Sequence, residues 1–276
     1  MASKIRGRSN VLPHLFLSLG AVVMVGPFVW EILTAFKTFA ESIQVPPVLI
    51  PAQFNFDNFQ QVFTSLPFGH LFANTVVMTL ARTAGQVIFC SLAGYAFARL
   101  RFPGRDIIFM LFLAVMMVPS QMFLIPQYQL MQNWGLLNTI PALFLPGMFS
   151  AFGTFLMRQF FMQLPQELEE AARLDGANTW QIYWKIMLPL AAPGMLALGL
   201  LVAIWSWNDL LWPLVVNTDP EKMPLSAGLA NLRGEHLTNY PVLMAGSLMA
   251  SLPLIVGFII FQKQLIQGIA TTGSKG

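Results

Sequence analysis

Apolar residues in this chain form long unbroken runs, at about 12–36, 70–98, 107–127, 138–161, 187–216 and 243–267. A helix crosses the bilayer in roughly 20 residues, so each run is long enough to be a span. β-Barrel strands alternate apolar and polar positions in short segments, which these runs do not. In lipid every backbone polar group must be paired internally, and for continuous runs that leaves helices. The pattern predicts an all-α, polytopic membrane protein with six transmembrane helices in a single transmembrane domain covering 1–276.

Composition supports this reading. The chain is 56% hydrophobic and only 10% charged, against about 25% charged in a soluble domain. The few cations are unevenly placed. Lys4, Arg6, Arg8, Arg99, Arg101, Arg105, Arg158, Arg173, Lys185, Lys263 and Lys275 fall in one set of loops and flanks; only Lys37, Lys222 and Arg233 fall in the other. By the positive-inside rule the first set faces the cytoplasm, so both termini are expected there. The net charge of +3 then reflects topology and not nucleic-acid binding, for which no basic, aromatic-interleaved patch exists. The basic start followed by an apolar stretch is like a signal peptide, but the stretch is long and no small-residue cleavage site follows, so an uncleaved first helix is expected. Cys90 is the single cysteine, which rules out a disulfide within the chain and reads as a small buried residue.

The polar intervals differ in character. The outer loop at about 37–69 is rich in Pro and Phe, with a short helix expected near Phe56–Phe63. The next, about 128–138, holds Tyr128, Gln129, Gln132, Asn133 and Asn138 and no charge; the third, about 217–242, holds charges of both signs. Pro119 and Pro126 stand close together in the third span. Proline frees a carbonyl and bends a helix, and either a fixed packing kink or a bend used in transport fits the residues.

The most charged interval of the C-terminal half lies between the fourth and fifth spans, at 164–190. Pro165 suits a first helical turn, and Glu167, Glu169 and Glu170 follow where the helix dipole favours negative charge. Gly176 sits where a glycine would stop that helix, predicting a helix over 165–175 with Leu168, Ala171, Ala172 and Leu174 as a small apolar face. Asn178 or Thr179 then caps a second helix, and Pro189 marks the entry to the fifth span. These signals give a helix–turn–helix on the cytoplasmic side. Alone, they fit a mere connector as well as a docking element.

Glu170-Ala171-Ala172, Asp175-Gly176-Ala177, Ile186 and Leu188-Pro189 together resemble the EAA loop of ABC importer permeases. The similarity extends along nearly the whole chain: Tyr95 to Arg99, Phe102 to Arg105, Pro119-Ser-Gln, Arg158 to Phe161, Trp207-Asn208-Asp209 and Trp212-Pro213 resemble the carbohydrate-uptake branch, and the tail from Gln267 to Gly276 is similar to that of the maltose-type, six-helix permeases. The resemblance implies a type I ABC importer permease-like fold in a bacterial or archaeal cytoplasmic membrane. It implies that Glu170, Ala171, Ala172, Asp175, Gly176, Leu188 and Pro189 couple the chain to an ATPase, and that the tail residues Gly273, Lys275 and Gly276 reach toward the ATPases. It also implies partners: a homologous second permease as a heterodimer, two ATPase subunits carrying ATP and Mg, and an extracytoplasmic substrate-binding protein. The stretch Ala230–Gly234 would meet that binding protein.

Substrate-pathway candidates are the polar residues at membrane depth. Arg82 falls near the middle of the second span, where a lone Arg costs about 2.5–3.5 kcal/mol on insertion scales. It therefore faces the bundle or a wet cavity, either as a structural ion pair or carbonyl donor, or as a contact for substrate. A phosphate or a sugar hydroxyl would suit its charge. Asn208 and Asp209 lie among Trp205, Trp207 and Trp212, a mixture of polar groups and rings that fits a hydroxyl-rich ligand as well as a packing or gating role. There is no GxxxxGK[ST] loop, no HExxH motif and no metal-ligand cluster of the three histidines, and no G-x-S-x-G context. The chain is expected to be no enzyme and to bind no cofactor or metal itself. The expected function is the permease subunit of an ATP-driven importer for a sugar or sugar/polyol derivative. The alternative is an ion-coupled secondary transporter, for which Asp209 is the one deep carboxylate available. Disaccharide, oligosaccharide, glycosylated polyol and glycerol phosphate all stay open as substrates.

Overall fold

The computed structural model describes residues 11–233 and 238–273, with side chains over 13–233 and 238–262. Among the described residues there are helices and connectors and no strand. In chain order the helices are α1 (Val11–Ala35), α2 (Phe39–Ser42), α3 (Asp57–Ser65), α4 (Phe68–Arg99), α5 (Arg105–Val115), α6 (Leu124–Asn133), α7 (Ile140–Phe144), α8 (Ala151–Gln163), α9 (Glu167–Leu174), α10 (Thr179–Ile182), α11 (Leu188–Leu190), α12 (Ala192–Trp207), α13 (Leu211–Val216), α14 (Leu225–Ala230) and α15 (Tyr240–Gly273). Two compact units divide them. One holds α1 to α3 and α15 up to Ser251; the other holds α4 to α14 and α15 from Leu252.

In the first unit, α1 is apolar on all sides and exposed from Pro13 to Trp30. An all-round apolar helix left uncovered by its own chain is a membrane helix. At its end, Asn58 of α3 donates to the carbonyls of Ala35 and Lys37, both at 2.8 Å, and Phe36 packs edge-on against Phe54 and Phe56. The short outer helix expected near Phe56–Phe63 is α3.

In the second unit, α4 is the central column, and α8 and α12 pack along it. Close packing of α4 on α8 depends on Gly94, where a Cβ would stand 2.7 Å from Met157 Cβ and 2.8 Å from the Arg158 backbone nitrogen. Small residues that let helix backbones approach are the usual device of membrane bundles. Two apolar clusters lie along α4. Met78 packs with Met131, Ala142, Leu143, Trp212 and Val216; Cys90 and Tyr95 pack with Met157, Phe161, Ala172, Ile182, Tyr183, Met187, Ala191, Leu198 and Val202. Between them comes a polar layer containing Arg82 and Gln86, each 8% exposed.

Among the described residues three helices are long and apolar enough to cross a membrane, at Pro13–Ala35, Phe68–Arg99 and Tyr240–Gln262. The other three expected spans are broken. Arg105–Val115 and Ser120–Asn133 meet at 97°, Ile140–Gly147 and Ala151–Gln163 at 47°, and Thr179–Leu190 and Ala192–Trp207 at 72°. The apolar runs at 107–127, 138–161 and 187–216 are thus bent and not single straight helices. In the first, α5 stops at Val115 and Pro119 precedes a 3-10 turn at Ser120–Phe123, where proline biases the preceding residue away from the helical region. The polar outer loop expected at 128–138 is helical as far as Asn133. The fifth run ends its helix at Trp207, and 211–216 forms the separate α13.

Candidate functional site

The charged interval at 164–190 folds as the helix–turn–helix that its residues predict, with shifted ends. α9 begins at Glu167, two residues after Pro165, and carries Glu167, Glu169 and Glu170 in its first turn. Gly176 takes φ +82 and ends it. Its N–H bonds to the Arg173 carbonyl at 3.0 Å and the Ala177 N–H to the Ala172 carbonyl at 2.9 Å, the paired closure of a glycine-stopped helix. Asn178 then opens α10 with a reciprocal cap, its side chain accepting from the Gln181 N–H while the Gln181 side chain accepts from its own. The helix does not break at Pro189. It runs through a π turn at Tyr183–Met187 and α11, and breaks at Ala191, which is 1% exposed.

One face of this element belongs to the core. Ala172, Ile182, Tyr183 and Met187 are buried in the cluster around Tyr95 and Phe161, and the Tyr183 hydroxyl hydrogen-bonds Ser91 of α4 at 2.8 Å. Glu169, expected only as a first-turn acid, is buried too. Arg99, the last residue of α4, places Nε 3.3 Å from Glu169 Oε1 and donates to the carbonyls of Phe161, at 2.6 Å, and Leu164. Those carbonyls end α8, where intrahelical partners run out. Burial pushes the Glu169 carboxyl above the usual carboxylate value, while Arg99 and then Arg173 pull it down less strongly. The i, i+3 relation of Glu169 to Ala172, with an arginine expected on the same side of the membrane, was the available signal.

The other face is open. Glu170, Ala171, Asp175, Gly176 and Pro189 are exposed, and Leu174 is 90% exposed. Ala172 faces inward and Leu188 is half-buried against the same cluster. The apolar face expected from Leu168, Ala171, Ala172 and Leu174 is therefore split: Ala172 packs inside while Leu168, Ala171 and Leu174 face out. The helix turns 100° per residue, so 171 and 174 share a side that 172 does not. Of the tail residues, Gly273 ends α15, while Lys275 and Gly276 lie outside the described residues, as does Gly234 of the outer stretch.

At membrane depth, Arg82 makes an ion pair with Asp209, Nη1 to Oδ2 at 2.6 Å. It also donates to the Leu143 carbonyl from Nε at 2.9 Å and from Nη2. A buried cation paired and hydrogen-bonded in this way offsets much of its desolvation cost. The pair stands between two recesses. One, of about 220 Å³, is lined by Arg82, Gln86, Gly147, Val202, Trp205, Ser206 and Asp209. The other, of about 380 Å³, adds Ser120, Gln121 and Gln127. Gln86 is committed, donating to Gly147 O and accepting from Ser150. Ser206 is 2% exposed, and its Oγ has no partner among the described residues. Arg82, Asp209 and Trp205 thus come together. Asn208 does not; it is exposed and its amide donates to Ile204 O at 2.8 Å, capping its own helix. Gln86 and Ser206 were missed, although they lie one helical turn from Arg82 and Asp209.

A family model of binding-protein-dependent transport system inner membrane components matches residues 86–270. The chain belongs to this family. It is an ABC importer permease, a multi-pass membrane protein and not itself an enzyme. Among curated relatives, the arabinooligosaccharides transport system permease protein of Halalkalibacterium halodurans is 37% identical, the match covering 93% of each chain. The sn-glycerol-3-phosphate transport system permease protein of Yersinia enterocolitica is 31% identical over 94% of this chain and 95% of its own. A bacterial ABC transporter involved in import of the acidic polysaccharide alginate has a chain that superposes with a TM-score of 0.83 at 27% identity, covering 95% of this chain and 99% of that one.

Proposed function

We propose that this permease is one half of the membrane pathway of an ATP-driven importer for a sugar or sugar derivative, working as a single transmembrane domain. Each bent helix pair serves as one span, giving six, with both termini in the cytoplasm. A second, homologous permease supplies the other half, a substrate-binding protein delivers solute from outside, and two ATPase subunits bind ATP and Mg. The ATPase seats on the outer face of 164–190, through Glu170, Ala171, Asp175, Gly176 and Pro189, with Ala172 and Leu188 behind them and the tail from Gly273 to Lys275 and Gly276 reaching toward the same subunits.

The observation that carries this reading is the two-sidedness of that loop. Its inner face is fastened to the core through Glu169, Tyr183 and Ala172, and its outer face leaves Leu174 90% exposed. A lone exposed leucine is ordinary. One presented at the end of a helix locked to the bundle is placed to be covered. Movement of a seated ATPase would then reach α4 and α12 through packed side chains. The ion-coupled alternative loses its relay, because Asp209, the deep carboxylate it needs, is held by Arg82.

The test is purification of the intact transporter and reconstitution in vesicles. Two ATPase subunits are expected to copurify. Glu170→Ala is expected to leave ATP hydrolysis running while uptake falls by on the order of tenfold. Full uptake by the permeases with no ATPase present would overturn the proposal.

A further inference from the structure

We infer that the recess beside the Arg82–Asp209 pair is a subsite for an uncharged saccharide ring, with Trp205 as its platform and Ser206 and Asp209 as its hydroxyl partners. This rests on the importer reading above and adds the charge class of the cargo. The relatives do not fix that class: one is named for a neutral oligosaccharide, one for a phosphate ester, and the solved importer handles an acidic polysaccharide.

The recess itself carries the distinction. Its single cation is Arg82, and Arg82 is already engaged by Asp209 Oδ2 and by the Leu143 carbonyl. A phosphate or carboxylate entering there finds no free positive charge, and meets the second oxygen of Asp209. Binding an anion would mean exchanging a good internal ion pair for an external one, with the Asp209 carboxylate left unpaired beside it. The remaining polar inventory suits hydroxyl groups. Ser206 Oγ both donates and accepts and is buried in the lining without a partner among the described residues. A buried hydroxyl without a partner is open to a ligand hydroxyl, and of those among the described residues Ser206 is the one that lines this recess. Asp209 Oδ1 is an acceptor for a ligand hydroxyl, and Asp209 lies three residues from Ser206, its N–H bonded to the Ser206 carbonyl at 3.3 Å. Trp205 lines the same recess, is 53% exposed, and is held edge-on by Phe152 at 5.3 Å. An indole face bordered by acceptors receives the C–H face of a sugar ring while its hydroxyls bond to the sides. At about 220 Å³ the recess has room for one ring.

The experiment uses the whole transporter with its binding protein in vesicles, supplied with an arabino-oligosaccharide, glycerol 3-phosphate or an alginate trisaccharide. ATP-driven uptake of the neutral sugar is expected, with the two anions at least about tenfold poorer. Ser206→Ala is expected to raise the half-saturating sugar concentration about fivefold. Trp205→Ala should raise it more, with Trp205→Phe recovering most of the loss. Asp209→Asn, which leaves Arg82 without its carboxylate, is expected to shift relative uptake toward the anions, an outcome that loss of folding does not produce. Uptake confined to an anion in the unmodified transporter, or sugar saturation unmoved by both Ser206→Ala and Trp205→Ala, overturns the subsite while leaving the importer standing. Uptake that persists with the ATPase subunits left out overturns the importer reading with it.

Discussion

Two arginines on α4 do similar chemistry with different results. Arg82 and Arg99 lie on one helix, about 25 Å apart at 1.5 Å per residue. Each donates to backbone carbonyls of neighbouring helices and pairs with a carboxylate distant in sequence, Asp209 in one case and Glu169 in the other. At Arg82 the surroundings are hollow: two recesses share the pair as a wall. At Arg99 the carbonyls are those that end α8, and the carboxylate belongs to a helix whose neighbouring residues are packed around Tyr95. A buried ion pair is thus a poor guide to role. Arg99 and Glu169 border open space too, a recess of about 860 Å³, so place along α4, amid its length or at its end, and not hollowness, separates a pathway residue from a fastener.

The largest expected effect comes from breaking the fastener. Arg99→Ala leaves Glu169 buried without its main cation and removes the guanidinium donor from the Phe161 and Leu164 carbonyls, and is expected to destabilise the permease by about 3–5 kcal/mol, read as a lowered unfolding temperature. At Arg82, removal of one partner should cost a similar amount, but Arg82→Leu with Asp209→Leu should recover most of the stability without recovering uptake. If the double variant transports normally, the contrast between the two pairs fails. Gly94→Ala tests the column that both share. Its Cβ meets the Arg158 backbone, which cannot swing aside as a side chain can, so a loss of about 1–3 kcal/mol is expected in the same unfolding measurement.

Glu169 gives the pH signature. Its folded carboxyl is raised above 4.5 by burial, so the folded state holds the proton more tightly than the unfolded chain does. The associated stability is present below the unfolded value and lost as pH rises through the raised folded one. Unfolding temperature should fall across that interval, and Glu169→Gln should flatten the fall. The smallest effect on the permease itself belongs to Leu174→Ser. Exposed as Leu174 is, its loss should change stability by no more than about 0.5 kcal/mol, while weakening retention of the ATPase in a pull-down.

The sequence made the helical, membrane-crossing character plain, because runs of this length have few other readings. It also revealed the helix–turn–helix, since Glu167 to Glu170, Gly176 and Asn178 are local signals whose partners lie within a few residues. The breaks in three spans were not legible. Pro119 marks one, but the turn at Ala191 follows Pro189 by two residues and precedes Pro193, and hydropathy alone does not say which proline a helix absorbs. The pairing of Arg82 with Asp209 joins positions 127 residues apart, and no period within a helix reports that. Glu169 reads as one of three acids in a first turn until α4 is seen to end beside it.

The turn at Ala191 gives 179–190 the geometry of a crank. About twelve residues of near-continuous helix make an arm of about 18 Å, set at 72° to the longer rod that carries Trp205 and Ser206. If the elbow holds its angle, a tilt of the arm by about 10° moves its tip by only about 3 Å, yet turns the rod through the same angle. An angular throw of that kind grows with distance from the elbow, so the residues farthest from the arm, those beside Asp209, travel most.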